Sequence, residues 1–328
     1  MRLYSLIASD LAAVENAMKR LLKNKPPETY GVLLPFIRNG GKRLRPALLL
    51  LCCRALKGNR KKAIQMAVVL EMFHNFSLIH DDLADDSHFR RGKPTLHRQY
   101  GTGIALNSGD ALYTLVWNTL LRMKLPATDR IALARLCSRT FQDVTEGQGT
   151  ELAWYREGKF NIREKDYFRM VQGKTASLMG LACQIGARSA HASIRQQKEL
   201  RRFGEKLGLA FQVQDDILNI SGSFKKYKKK IGEDITEGKR TLMVIRTLQA
   251  ATPREKRRMV RIVSSKTRDP KKIAYVTKLF VKYRSLEYAQ KKARQFVNEA
   301  RRMLYRLPET REKKALDALA RFVVERQE

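Results

Sequence analysis

Two clusters of paired aspartates carry the most pointed chemistry in this chain. The first, Leu78-Ile79-His80-Asp81-Asp82-Leu83-Ala84-Asp85-Asp86, closes a strongly apolar segment with four carboxylates. On a helix Asp81 and Asp85 share one face a turn apart, and Asp82 and Asp86 form the neighbouring pair. Like charges at that spacing destabilise a bare helix, so a cation has to compensate them. Aspartate is also a weak helix former, which makes the cluster more telling. The second cluster, Phe211-Gln212-Val213-Gln214-Asp215-Asp216-Ile217-Leu218-Asn219, repeats the layout: a paired Asp, then an oxygen-bearing side chain four residues after the first. Oxygen donors without cysteine suit a hard cation such as magnesium. One such cluster would read as a solvated helix end; two, each set in an apolar helix, point to metal binding.

Carboxylate-held magnesium usually meets substrate phosphate, which requires cationic side chains nearby. Four glycine-marked basic stretches answer: Gly40-Gly41-Lys42-Arg43-Leu44-Arg45-Pro46, Arg90-Arg91-Gly92-Lys93-Pro94-Thr95, Gly173-Lys174-Thr175 and Gly238-Lys239-Arg240-Thr241. Arginine suits bidentate contact with phosphate, and lysine acts as a point charge. The Gly-Lys-Thr at 173–175 is not a nucleotide P-loop. That loop needs a glycine five residues before Gly173 and a preceding strand, and position 168 is Phe.

The elements that must carry these residues are helices. Leu11, Val14, Met18, Leu21 and Leu22 repeat at helical spacing until Pro26-Pro27. The same periodicity predicts helices over 44–56, 63–80, 105–123, 129–147, 165–187, 198–220, 241–250, 271–282, 285–305 and 311–327. No alternating strands with hairpin turns stand out. Turn residues collect at 57–60, 87–103, 156–163, 221–240 and 306–310. With no repeat, linker or compositional break, the expectation is one large all-α domain over residues 1–328.

Composition bounds the setting. The 328 residues hold 66 Lys+Arg against 32 Asp+Glu, a net charge of +34, which favours polyanionic partners without choosing among nucleic acid, anionic membrane and phosphorylated small molecules. Cys52, Cys53, Cys137 and Cys183 have no metal-site spacing and fall in apolar stretches, as buried free thiols of a reducing compartment would. Asp10 and Glu15 interrupt the N-terminal apolar pattern, against a secretory signal. The longest aliphatic run, Ala47 to Cys53, is far short of the ~20 residues that span a bilayer. A soluble, cytoplasmic protein is expected.

Taken in order, these motifs resemble the trans-prenyl diphosphate synthase family, the polyprenyl synthetases of farnesyl and geranylgeranyl diphosphate synthase type. The stations are Gly-Gly-Lys-Arg-Leu-Arg (40–45), the acid run 78–86, Arg-Arg-Gly-Lys-Pro-Thr (90–95), Gly-Lys-Thr (173–175), Phe-Gln-Val-Gln-Asp-Asp-Ile-Leu (211–218) and Gly-Glu-Asp-Ile-Thr-Glu-Gly-Lys-Arg-Thr-Leu (232–242). The resemblance covers roughly residues 38–245, and its last motif is most similar to archaeal members. It implies a helical bundle around a central metal-lined cavity, with the two acid helices facing across it. By position it implies magnesium, three ions per site, on Asp81, Asp85 and Asp215, supported by Asp82, Asp216 and Asp234. Arg90, Lys174, Lys230 and Lys239 would hold an allylic diphosphate, and Lys42, Arg45, His74 and Arg91 the isopentenyl diphosphate. Thr175 and Gln212 would steady the developing allylic cation. Diphosphate would leave, the isopentenyl double bond would attack, and the departing diphosphate would take the proton. Asn219 stands where the family's second motif usually ends in Asp, keeping an oxygen but losing a charge.

The family also suggests product length. Bulky residues five and eight positions before the first Asp form the floor of its prenyl pocket, and here these are Phe76 and Phe73. At ~1.5 Å rise per residue they would lie roughly 7–12 Å beyond the metals, giving a C15 or C20 product, with the small Ser77 favouring C20. An HD-type phosphohydrolase would use His74, His80 and Asp81 but needs more histidines than His88, His97 and His191 supply, and leaves the second acid cluster unexplained. A class I terpene cyclase shares the metal logic but gives no reason for basic groups at 42–45 and 91. A noncatalytic partner subunit should have lost acids from the first motif, and none is lost. A nucleic-acid binder could use the five lysines among 225–230 and the run Arg254 to Arg261, yet aromatic residues for base stacking are sparse there. The expected partners are therefore the two diphosphates, a second copy in a homodimer, and a weak anionic membrane surface, with no specific nucleic acid.

Overall fold

The computed structural model describes residues 2–221 and 232–325. Almost every element in it is a helix. The main ones are α1 (Ala8–Leu22), α2 (Leu44–Ala55), α3 (Arg60–Ala84), α4 (Thr102–Leu121), α5 (Ala127–Arg156), α6 (Glu164–Val171), α7 (Ser177–Arg188), α8 (Ile194–Ser221), α9 (Leu242–Ala250), α10 (Pro253–Ser264), α11 (Pro270–Lys282), α12 (Ser285–Met303) and α13 (Arg311–Glu325). Between α6 and α7 the chain makes a π-helical turn over Gln172–Ala176.

Residue contacts divide the chain into two units. One comprises Met1–Arg139, Met179–Arg201 and Leu304–Ala318; the other comprises Thr140–Leu178, Arg202–Met303 and Leu319–Glu328. The first unit is organised on α3, against which α1, α2 and α4 pack. Asn59 starts α3 by accepting the N–H of Lys62 at 3.0 Å, satisfying one of the donors a helix start leaves open. Met66 to Phe73 are then buried without a break, and Glu71 is buried among them. A helix apolar on every side belongs inside a bundle. The second unit packs α9 and α11 against α12, with α10 beside α11.

The helical expectations hold in type and differ in extent. Helix α5 runs to Arg156, beyond the expected 147, because Leu152 and Trp154 extend its apolar face past Gly147 and Gly149. Helix α10 was not expected: Pro253 and five basic residues hide an apolar face of only Met259, Ile262 and Val263. Thr252 and Glu255 start it with a reciprocal capping box. Residues 87–103, read as turn, contain one short antiparallel ladder, Phe89–Arg90 with Lys93–Pro94. All four cysteines are free and buried. Burial pushes the Cys53 thiol up to about 11 and Cys137 to about 12, so both are inert at neutral pH. Among the described residues no helix is long and apolar enough to cross a membrane.

Candidate active site

In the first unit the acid run caps α3. Asp82 is buried, Asp81 and Asp85 are half-buried, and Asp86 is exposed. The last helical bond runs from the Asp85 N–H to the Asp81 carbonyl at 2.9 Å. Asp86 then turns out of the helix at φ +51° and meets Arg98 at 2.7 Å, so it does not continue the Asp82 face as a regular helix would. The short ladder that follows closes through Arg91-Gly92, both at positive φ, which suits a two-residue hairpin. That turn brings Arg90 back over the acids. Its Nε donates to Asp82 Oδ1 at 2.9 Å, its Nη2 donates to the same oxygen, and Nη2 stands 4.0 Å from Asp81 Oδ2. The fixed cation demanded by the acid run is thus Arg90.

The glycine-led turn before α2 supplies a second cationic group. Gly40 (φ +79°) and Gly41 (φ +143°) take conformations open to glycine. A side chain at Gly41 would meet the Arg91 guanidinium at 2.7 Å, so glycine makes room for that arginine. Arg91 donates to the Gly40 carbonyl. Arg43 anchors the turn from beneath, donating to Glu71 at 2.7 Å, Glu15 at 3.1 Å and the Ile37 carbonyl at 2.9 Å. Burial works against its charge, but the two glutamates prevail and its pKa rises. Arg45 Nη1 lies 3.1 Å from His74 Nε2, while Arg45 Nε is buried without a hydrogen-bond partner. Burial, then Arg45, Arg91, Arg90 and Arg43, hold His74 well below the usual imidazole value, so it is neutral and accepts from Arg45. Burial also lowers Arg45 and Arg91 to about 10, with Glu71 opposing. Arginines so crowded, with an inward donor left over, form a seat for a polyanion. Lys42 is exposed beside it.

Upstream on α3 the aromatic pair stacks with α4. Phe73 is 2% exposed and lies 5.5 Å, centroid to centroid, from Phe76. Tyr113 packs 4.9 Å from Phe76 and 6.2 Å from Phe73, and Trp117 continues the row at 6.2 Å. His80 sits 4.5 Å from Phe76 and 3.4 Å from Asp110 rather than in a histidine cluster.

The second unit forms a small cleft of about 50 Å³ lined by Asp215, Asp216, Asp234, Lys174, Lys239, Thr175 and Gln212 among others. Seven residues expected to work together therefore converge. Their orientation is set by a chain of hydrogen bonds. Thr175 donates to Gln212 Oε1 at 3.0 Å, Gln212 Nε2 donates to Asp216 Oδ1 at 3.0 Å, and the Tyr167 hydroxyl donates to Asp216 Oδ2 at 2.7 Å. Burial raises Asp216 to about 6; Gln212 and Tyr167 oppose that, and neighbouring Asp215 adds to it. Lys174 Nζ is 2.5 Å from buried Glu151, and Lys239 Nζ is 2.7 Å from Glu237 and 3.8 Å from Asp234. The π turn presents Lys174 and Thr175, and such turns recur at functional sites. It approaches α5 backbone to backbone: a Cβ on Gly147 would lie 2.3 Å from the Lys174 nitrogen.

Asn219 has a different task from the one its spacing suggested. It is 1% exposed, and its Oδ1 accepts the Asp234 N–H at 3.0 Å. Its amide oxygen therefore holds the Gly232–Asp234 turn that brings Asp234 into the cleft. Lys230 lies outside the described residues. Arg43, Glu71, Glu151 and Tyr167 were not singled out from sequence. Glu151 would have been found had α5 been extended past 147, whereas nothing local marks Tyr167.

No three His, Cys, Asp or Glu side chains stand preassembled as a metal cage among the described residues. The donor sets nevertheless fit a hard cation. They are all oxygen, and the cost of keeping buried Asp216 charged, to which neighbouring Asp215 adds, is one a bound cation would offset.

Comparison with known proteins gives a consistent picture. The family model described as polyprenyl synthetase matches residues 27–280. The geranylgeranyl diphosphate synthase of Sulfolobus acidocaldarius is 31% identical over 318 residues, 96% of each chain. The crystal structure of geranylgeranyl pyrophosphate synthetase from Pyrococcus horikoshii superposes with a TM-score of 0.90 at 30% identity, covering 99% of this chain and 98% of that one. A polyprenyl synthase from Caulobacter crescentus, complexed with calcium and isoprenyl diphosphate, gives 0.90 at 27% identity, covering 100% and 98%.

Proposed function

Since the chain belongs to the polyprenyl synthetase family and is a prenyltransferase, we propose that it condenses isopentenyl diphosphate with an allylic diphosphate, using magnesium, to give a C15 or C20 all-trans product, C20 favoured. The observation that carries this reading is the cleft where Asp215, Asp216 and Asp234 meet Lys174 and Lys239 beside Thr175 and Gln212. Acids for a cation, lysines for phosphate and a polar pair are together there. Residues 1–328 act in it as one catalytic domain; the family model, which runs through residues of both units, supports this.

Asp81, Asp85 and Asp215 hold the magnesium ions, three per site, with Asp82, Asp216 and Asp234 behind them. When bound, magnesium neutralises the diphosphate as it leaves with developing negative charge. The protein's own groups do the rest. Lys174 and Lys239, joined by Arg90 and Lys230, fix the allylic diphosphate by charge. Glu151 and Glu237 hold the two lysine ammonium groups in place until substrate arrives. Arg45, Arg91 and Lys42 bind the isopentenyl diphosphate, while neutral His74 orients Arg45. As the allylic C–O bond breaks, the Gln212 carbonyl oxygen and the Thr175 hydroxyl turn negative ends of dipoles toward the cation. The isopentenyl double bond attacks C1, and the released diphosphate takes the proton. No side-chain base is needed. The aromatic row of Phe73, Phe76 and Tyr113 limits the growing chain and keeps water from the cation. The working form is a homodimer.

The test is incubation with isopentenyl diphosphate and dimethylallyl, geranyl or farnesyl diphosphate, with and without magnesium. Magnesium-dependent C15 or C20 product is expected. Absence of condensation with every primer, in folded protein, refutes the enzyme reading and leaves a noncatalytic partner subunit.

A further inference from the structure

A dense part of this protein's positive charge lies on two adjoining helices that no part of the proposed reaction uses. Between residues 250 and 284 there are twelve Lys and Arg against two acids, Glu255 and Asp269. Both acids are engaged locally. Glu255 takes Lys282 at 2.7 Å and the Tyr283 hydroxyl at 2.6 Å, and Asp269 caps α11 by accepting the Lys271 N–H at 2.9 Å.

The basic residues are ordered, not scattered. On α10, Arg254, Arg257 and Arg261 recur at helical spacing opposite the buried Met259, Ile262 and Val263. On α11, Lys271, Lys278 and Lys282 do the same opposite the buried Val276, Leu279 and Phe280. Two cross-links set the exposed faces side by side: Arg258 stacks 4.0 Å over the Tyr275 ring, and Lys282 pairs with Glu255. These links run from residue 255 to 282 and from 258 to 275, so the helices are antiparallel and their basic stripes adjoin. Arg254, Arg257, Arg261, Lys271 and Lys278 are exposed and have no ion pair among the described residues. Val281, 59% exposed, stands at the edge of the second stripe.

We propose that the adjoining basic faces of α10 and α11 are a docking surface for an anionic lipid bilayer. Such a surface attracts clustered Lys and Arg at about 1 kcal/mol each, roughly a fivefold gain in partition per charge. The segment contains no Asn or Gln to read base edges, and its rings are already occupied by Arg258 and Glu255. Exposed Val281 suits the bilayer interface and has no role on a phosphate backbone. Preference for lipid over other polyanions also rests on the prenyl synthase reading, because a C15 or C20 diphosphate is an amphiphile that partitions to a membrane surface. Docking delivers it there.

The experiment is co-sedimentation of the full chain with phosphatidylcholine vesicles, pure or containing phosphatidylglycerol, at low and raised salt. It is repeated with the variant Arg254→Gln, Arg257→Gln, Lys271→Gln, Lys278→Gln. None of these residues belongs to the catalytic machinery, so condensation activity in solution should match wild type and confirm folding. Binding should require phosphatidylglycerol, weaken with salt, and fall by several hundredfold in the variant. Equal binding to neutral vesicles, no binding, or a variant that binds as wild type does overturns the proposal. So does tighter retention of duplex DNA than of anionic vesicles at the same salt, lost in the same variant. Vesicle binding needs no turnover: binding without condensation would refute the prenyl synthase reading and leave the surface standing, and the reverse would do the opposite.

Discussion

At the scale of single residues, the site is built from charges that hold one another in place. His74 shows what that costs in pH range. Burial and the surrounding arginines keep it neutral in the folded protein, whereas in the unfolded chain it titrates near 6.5. Below that pH the unfolded state binds a proton that the folded state refuses. Stability is therefore full above about pH 6.5 and declines as pH falls, by up to about 1.4 kcal/mol per pH unit from this group. Chemical denaturation at pH 7.5 and pH 5.5 should show a smaller loss for His74→Gln than for wild type. The product floor is also a residue-scale matter. Phe76 stacks on Phe73, His80 and Tyr113, so Phe76→Ala opens space directly along α3. It should lengthen the prenyl product by one or more C5 units with the same primer, read by chromatography; an unchanged product would remove the floor assignment.

At the scale of elements, placement of Lys174 depends on two helices approaching more closely than side chains allow. Gly147 on α5 faces the Lys174 nitrogen, and a Cβ on Gly173 would lie 2.6 Å from the Asp143 carbonyl. Two residues further along α5, Gly149 faces open space. Gly147→Ala should lower thermal stability by about 1–3 kcal/mol and reduce turnover, because the backbones must separate. Gly149→Ala should raise stability by about 0.5–1 kcal/mol and leave turnover unchanged. Thermal melts and initial rates of both variants check the contrast. Element by element, the sequence was most legible where apolar periodicity is strong, as in α3, whose buried stretch and terminal acids were both visible. It was least legible where charge covers the pattern. Helix α10 carries five basic residues and buries only three apolar ones, so its helical character is visible only from its cap and its buried face. The π turn at 172–176 reads from sequence as an interruption, since Gly173 signals a break but not its form.

At the scale of the molecule, the acid and basic clusters that line the cleft and crown α3 were legible because they stand out by residue type and spacing. Their supports were not: Arg43, Glu71, Glu151 and Tyr167 are ordinary residues made significant by partners far away in sequence. Asn219 is the instructive case, since its spacing suggests a metal ligand while its amide oxygen holds the Asp234 backbone. The two acid clusters belong to different units of the chain, and the proposed reaction needs both. The most direct test is the magnesium-dependent condensation rate of wild type beside Asp81→Ala and Asp215→Ala, each shown to be folded. Either change alone should lower the rate by about a hundredfold or more. Wild-type turnover in either variant would contradict the requirement for both clusters.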